Sequence, residues 1–321
     1  MTHRDLLEIV MRPLSPDARL EVPASQEEYE RVNAILEERR PRTYPQLWYD
    51  SARGVAIVAA VPTPLHAGMA GALLSSISHE IVRNSGISAA ITRNLRYESA
   101  CTRSKLTSHG RTTRAWDGAL KYCEGIRLTL MIAVEVGVSQ SYDSLRAAIS
   151  WSVCALRSRI GLAMSISEGS RRTTPSVRYY VSDEEADALV EEAENDFRSQ
   201  LMQHPYGPLE RDGITWFGKV RRVILEAYRR QDEDCPPETI LEPSQSFTIV
   251  EDGEYVGHNI SPNLRELVLE DCIPSHLLQS QEIRVTPVNF FRQEWFEDEF
   301  RASMVLTAVE RLQSYFEPTP I

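Results

Sequence analysis

Two rhythms of apolar spacing divide the chain into segments. PQLWYD and GVAIVAAV are short β-like runs separated by SARG, which is hairpin spacing, and Pro62 and Pro64 stop the second of them. The next stretch, LHAGMAGALLSSISHEIVRNSG, is spaced as a helix rich in small residues and ends at Gly86. RTTRAWDGALKY then reads as extended, CEG as a turn, and LTLMIAVEVGV as a buried strand. A helix from Asp143 to about Leu156 and the apolar run IGLAMSI complete a β-β-α-β order. This order predicts a mixed α/β (α+β) fold, a central sheet flanked by helices.

The flanks carry their own signals. Ser25 and Glu28 form a helix-start capping box for a helix running toward Glu38 and ending before Pro41. Ser182 and Glu185 form a second one, opening a helix with eight acids and no base between Asp183 and Asp196. That helix reads as a solvated acidic face, with a strip lying over the basic segment as the alternative. Further on, Lys219 to Arg230 is expected to be helical, FTIVEDGEYV to be a hairpin turning at Asp252-Gly253, and EIRVTPVNF to be a strand. A long amphipathic helix follows, with Phe296, Phe300, Met304, Ala308 and Leu312 on one face. The expected organisation is an N-terminal helical extension over 1–44, a core over 45–175, and a continuation over 176–321 carrying the acidic helix, the hairpin and the long helix.

Composition narrows the class. At 321 residues, with 42% hydrophobic and 25% charged positions, the chain can bury a sizeable core. The apolar stretch from Gly54 to Ile77 is broken by Pro62, Pro64 and His66, short of the roughly 20 residues a membrane helix needs. No secretory signal pattern opens the chain, and five scattered cysteines without a CxxC pair read as reduced thiols. The expectation is an intracellular protein of cytoplasm or nucleus. Seven isolated histidines show no zinc-ligand spacing. GVSQS departs from the nucleophile-elbow pattern in its last residue, so serine hydrolysis is set aside.

Charge is segregated. The chain carries −11 overall, yet Ser88 to Arg178 holds fourteen Lys and Arg against six Asp and Glu, a local +8. Arg93, Arg96, Arg103, Lys105, Arg111 and Arg114 precede Asp117, Lys121 follows it, and Arg171 and Arg172 lie beyond IGLAMSI. Such a run suits phosphate contacts with DNA or RNA.

Within the apolar strand one acid stands out, Glu135, flanked by Val134 and Val136. Strand alternation puts the valines on one face and Ala133, Glu135 and Gly137 on the other. If the strands pair through CEG, Asp117 comes opposite or diagonal to Glu135. Two carboxylates so close repel unless a cation or proton is shared. Mg²⁺ or Mn²⁺, held by Asp117 and Glu135 within about 6 Å of each other and completed by water, answers that constraint and points to phosphodiester hydrolysis. A lone Glu that faces solvent or pairs with Arg127 or Arg146 is the other reading of the same residue.

The stretches YDSARGVAIVAAVPTPLHAGMAGAL, AWDGALKY and MIAVEVGVSQSYDSL, with YGPLERDGITWFG, NLRELVLEDCIP and IRVTPVNF further on, resemble a group of fungal proteins assigned to the PD-(D/E)XK nuclease superfamily. The resemblance covers roughly Tyr49 to Phe291. It implies a restriction-endonuclease-like core in which Asp117 matches the Asp of the PD element and Glu135 the acid of (D/E)XK. It also implies departures: Trp116 replaces the Pro, Gly137 the catalytic lysine, and Ala67 the acid that follows His66. Glu80 lies about 20 Å further along that helix, too far to substitute. Gln140 is the auxiliary expected to hold a water. A missing preorganised charge costs about two to three orders of magnitude in rate. The reading is therefore a weak metal-dependent nuclease using Asp117, Glu135 and Gln140 as catalytic residues, with Arg103, Lys105, Arg111, Arg114 and Lys121 on nucleic acid. The alternative is a nuclease-fold binding or scaffold protein without catalysis.

Overall fold

The structure is a computed structural model describing residues 6–11, 14, 19–39, 46–59, 63–84, 86–107, 110–138, 141–169, 179–230 and 235–318. The N-terminal elements are α1 (Leu6–Val10), β1 (Arg19–Pro23) and α2 (Gln26–Arg39), followed by the hairpin β2 (Gln46–Asp50) and β3 (Val55–Ala59). Gly54, at φ 62°, makes that hairpin turn in the left-handed region open to glycine. The small-residue helix is α3 (Pro64–Arg83), with Pro64 at its first turn, where a missing N–H costs nothing. After the short α4 (Ala89–Thr92), a long hairpin runs through β4 (Leu95–Thr107) and β5 (Gly110–Glu124). It leads into β6 (Arg127–Val138), α5 (Tyr142–Cys154) and β7 (Ile160–Glu168).

Next come β8 (Tyr179–Val181), the acidic α6 (Asp183–Gln203), β9 (Leu209–Arg211), β10 (Ile214–Phe217), β11 (Val220–Arg229), β12 (Gln245–Glu251) and β13 (Glu254–Tyr255). The chain closes with β14 (Glu266–Val268), α7 (Leu269–Cys272), α8 (Gln281–Arg284), β15 (Pro287–Asn289), α9 (Gln293–Gln313) and β16 (Phe316–Pro318). The fold is mixed α/β, as expected. The main sheet runs β1-β3-β2-β5-β6-β7-β11-β12-β13, with β4 also on β5. Among the described residues only the β6–β7 pairing within it is parallel, made possible by the crossover through α5.

Two faces of β6 separate two cores. Ile132, Val134, Val136 and Val138 join Leu65, Met69, Leu73, Leu74 and Ile77 of α3 and the apolar stripe of α9. Ala133 turns the other way, with Ala163 and Tyr228, beneath Leu145, Ile149 and Val153 of α5. Gly161 is what lets α5 sit so low. A Cβ there would stand 2.5 Å from Ile149 Cγ1 and 2.9 Å from Val153 Cγ2.

Both capping boxes open helices at the expected places. Ser25 Oγ accepts from Glu28 N, and the reciprocal pair of Ser182 and Glu185 is complete. α6 packs on α9 and β9.

Two expectations are corrected. Lys219 to Arg230 is not a helix: VRRVILEAYR is strand β11, zipped between β7 and β12. Its Leu, Glu, Ala and Arg are good helix formers, but Val220, Val223, Leu225 and Ala227 are buried in the core, and sheet pairing on both edges overrides local preference. EIRVTPVNF is only partly extended. Gln281–Arg284 makes one helical turn, and the strand is confined to Pro287–Asn289, on an edge that tolerates Pro.

The C-terminal helix is locked to the sheet by a buried ion pair. Arg311 donates through both terminal nitrogens to the Glu168 carboxylate at 2.9 Å each, and Arg311 Nη1 also reaches the Trp216 carbonyl at 3.0 Å. Glu168 in addition accepts from Gly218 N at 2.6 Å. Both side chains are almost fully buried, so removing one strands the other's charge. Arg311→Ala should cost about 3–5 kcal/mol in urea unfolding. Restoring neutrality with Glu168→Gln in the same chain should return part of that loss.

Candidate functional site

The expected acids lie where β5 exchanges partners. Along its outer edge β5 pairs with β4 from Gly110 to Tyr122. Along its inner edge it meets β2 at Thr113 and β6 only from Gly118 onward. Among the described residues, Arg114 to Asp117 have no strand partner on that inner edge. Side chains fill the gap. Arg114 donates to Asp50 Oδ2 at 2.8 Å, and Asp117 Oδ2 accepts the Val136 N–H at 2.7 Å.

Asp117 therefore does the work of a missing strand carbonyl. It also lines an open cleft of about 350 Å³ between α3 and β4, with Ala67, Gly71, Ser75, Tyr97 and Glu98. Crowding by protein raises its carboxyl above the ordinary 3.8, while His66 and the Val136 N–H pull the other way. His66 is held at the start of α3 by a 2.9 Å contact between its Nδ1 and Thr63 Oγ1.

Glu135 sits on the neighbouring strand but in other surroundings. Its register partner on β7 is Ala163, and Ala163 in turn pairs with Glu226 on β11. Ala133 and Ala163 belong to the core beneath α5, so Glu135 and Glu226 flank Ala163 on that face, with Cα atoms about 9.6 Å apart at about 4.8 Å per strand spacing. Glu226 is fully engaged. Tyr142 Oη donates to it at 2.8 Å, Tyr228 Oη at 2.6 Å and Ser246 Oγ at 3.0 Å. Burial and the Glu226 carboxylate hold both phenols above their usual range. Sequence reading missed Glu226 because it took the segment as a helix. Read as a strand, an acid among Val, Leu and Ala repeats the signal that marked Glu135.

The basic residues fall into two groups. Lys121 is buried and paired with Glu98. Arg114 is half-buried on Asp50, its guanidinium 5.7 Å from the centre of the Trp151 ring. Lys105 and Arg111 are exposed near the end of the β4–β5 hairpin, and Arg93 and Arg96 are exposed at its base. Arg103 stands opposite Arg114 in register. Gln140, Arg171 and Arg172 lie outside the described residues. Arg146, one partner weighed for Glu135, donates to the Leu241 carbonyl and pairs with Glu242; Arg127 is exposed. Glu80 is paired with Arg292, the contact closing α3 onto the start of α9.

No known family model and no curated protein matches this chain.

Asp117 and Glu135 are the two acids that the sequence offers to a divalent metal. Among the described residues no three His, Cys, Asp or Glu side chains gather at one point. Asp117 gives one oxygen to a backbone N–H, Glu135 rises on the α5 face, and Ala67 and Gly137 offer no functional group. Mg²⁺ takes six oxygens but keeps several of them as water and is commonly held through one or two carboxylates.

The raised Asp117 carboxyl has a measurable consequence. Above 3.8 the unfolded chain releases this proton before the folded chain does, so the folded state loses stability as pH rises through that window. Asp117→Asn, whose amide oxygen still accepts from Val136 N, should raise Tm at pH 7. The difference should close below 3.8, where the wild-type group is neutral in both states.

Proposed function

We propose that this protein is a nuclease-fold binding module for single-stranded nucleic acid, in which phosphodiester cleavage is weak or lost. The observation that supports this reading is the contrast at one hairpin. Its base carries Asp117 in a strand gap with an incomplete complement of catalytic groups, while its far end presents exposed Lys105 and Arg111. Lysine and arginine on an exposed β-arm are suited to phosphates, each contact releasing counterions and adding to the salt dependence of binding. The cleft beside Asp117 is lined by the carboxyl groups of Asp117 and Glu98, the latter paired with Lys121.

A Mg²⁺- or Mn²⁺-dependent nuclease is the competing reading, favoured by the placement of Asp117 and Glu135 on adjacent strands where those strands part. The two separate in a single assay series. Fluorescence anisotropy with labelled single-stranded DNA and RNA should show binding that weakens steeply with salt. Lys105→Glu with Arg111→Glu should lower affinity at least tenfold and flatten the salt slope by about two. The same oligonucleotides with Mg²⁺ or Mn²⁺ should survive intact. Cleavage by wild type that disappears in both Asp117→Asn and Glu135→Gln would replace this proposal with the nuclease.

A further inference from the structure

Between β11 and β12 the described residues from Cys235 onward run along α5, and side chains on successive turns of that helix hold them. Arg146 Nε donates to the Leu241 carbonyl at 2.8 Å, and its guanidinium also pairs with Glu242. Ser150 Oγ accepts the Leu241 N–H at 3.0 Å. The next residue in this row is Cys154, the last of α5. Residues four apart on a helix share a face, about 6 Å per step, so Arg146, Ser150 and Cys154 stand in line. Cys235 packs against the cluster that contains both Cys154 and Leu241. Past Cys235, Pro237 to Ile240 line a cavity of about 180 Å³ together with Asp50, Arg114 and Trp151, so this connection forms one of its walls.

The row therefore ends in two thiols that meet, Cys154 buried and Cys235 half-buried. Cys235 Sγ donates to the Pro236 carbonyl at 3.7 Å, which leaves its lone pairs for the Cys154 S–H. Burial and the hydrogen bond to Cys235 push the Cys154 thiol up to about 12, while the Arg230 guanidinium pulls it down. Two further thiols lie elsewhere. Cys272 belongs to the core on the α3 side of the sheet, and Cys123 donates to the Gly125 carbonyl at the β5–β6 turn.

We infer that Cys154 and Cys235 form a reversible oxidation site, at which a disulfide fastens the β11–β12 connection to the end of α5. The inference is independent of the nucleic-acid reading. The oxidant is a low-molecular-weight disulfide, and the exchange takes two steps. The more accessible Cys235 sulfur, as thiolate, attacks one sulfur of that disulfide, forming a mixed disulfide and releasing one small thiolate. The Cys154 sulfur then gives up its proton and attacks the Cys235 sulfur, expelling the second small thiolate. Two electrons pass from the protein to the small disulfide, and the two protein thiol protons end on the two small thiols. Arg230 favours the second step by stabilising the thiolate that Cys154 must become. Burial opposes that thiolate, so the second step is the slower one, and the same burial shields the finished bond from reductant.

Incubation of the native full chain with oxidised glutathione, then alkylation of the remaining thiols and digestion without reductant, tests the pair. Mass spectrometry should find the Cys154 and Cys235 peptides joined and two hydrogens lighter than the reduced pair, and dithiothreitol should separate them. The bond closes a loop of about eighty residues, so Tm should rise by about 5 °C on oxidation and return on reduction. Cys235→Ser, at a half-buried position, should abolish both the cross-link and the Tm change. Cys154→Ala should also abolish them and leave glutathione attached to Cys235, the intermediate that wild type resolves. Near-ultraviolet circular dichroism confirms that each variant is folded. Absence of the Cys154–Cys235 bond in native buffer, or its formation only in denaturant, overturns the inference. A Tm rise retained in folded Cys235→Ser, or a bond that forms and lowers Tm, overturns it as well.

Discussion

Everything around the candidate site follows from a shortage of hydrogen-bond partners along one edge of β5. Backbone N–H and C=O groups inside a protein must be paired, and β5 is long enough to need two successive neighbours on its inner side. Where β2 ends and β6 has not yet begun, four residues have no strand partner among the described residues, and side chains stand in for it. Asp117 satisfies the Val136 N–H, and Arg114 is fixed by Asp50. An acid that replaces a carbonyl cannot be swapped for an apolar residue without orphaning a buried donor. That is sufficient reason for a hydrogen-bond acceptor here.

Charge pairing explains how a segment of net positive charge fits into an acidic protein. Some of its bases are paired with acids: Lys121 with Glu98 of the same segment, and Arg114 and Arg146 with Asp50 and Glu242 from outside it. Pairs of this kind specify which elements meet more than they stabilise, because desolvation offsets most of the attraction. The same holds for Arg311 with Glu168 and Arg229 with Asp271, which tie α9 and α7 to strand ends. What remains outward on the hairpin, Lys105 and Arg111 together with Arg93 and Arg96 at its base, is the part of the positive run available to a partner.

The α5 face holds a second polar system that strand alternation brings together. Glu135, Ala163 and Glu226 form one row across three strands, and Tyr142, Tyr228 and Ser246 saturate Glu226 with hydroxyl donors. A satisfied network of this kind rigidifies its surroundings, and through Tyr142 it fixes the start of α5.

Much of the frame was legible in the residues themselves. Period-2 runs, helical spacing and capping boxes located β2, β3, β5, β6, β7, α3, α5, α6 and α9, because these signals are local: a cap, a turn or an apolar stripe is written within a dozen residues; β4 carries no such pattern and was not foreseen. The adjacency of the Asp117 and Glu135 strands was equally legible, through the short turn at CEG. Only tertiary structure decided that VRRVILEAYR is a strand, since its partners β7 and β12 lie at a distance in the chain and sheet pairing outweighs a helical propensity of tenths of a kcal/mol per residue. It also decided which bases are spent on internal acids, that Asp117 bonds a backbone amide, and that Asp50, Arg114 and Trp151 surround one cavity. Those facts depend on side-chain direction and on contacts between residues as many as a hundred positions apart, which no local pattern records.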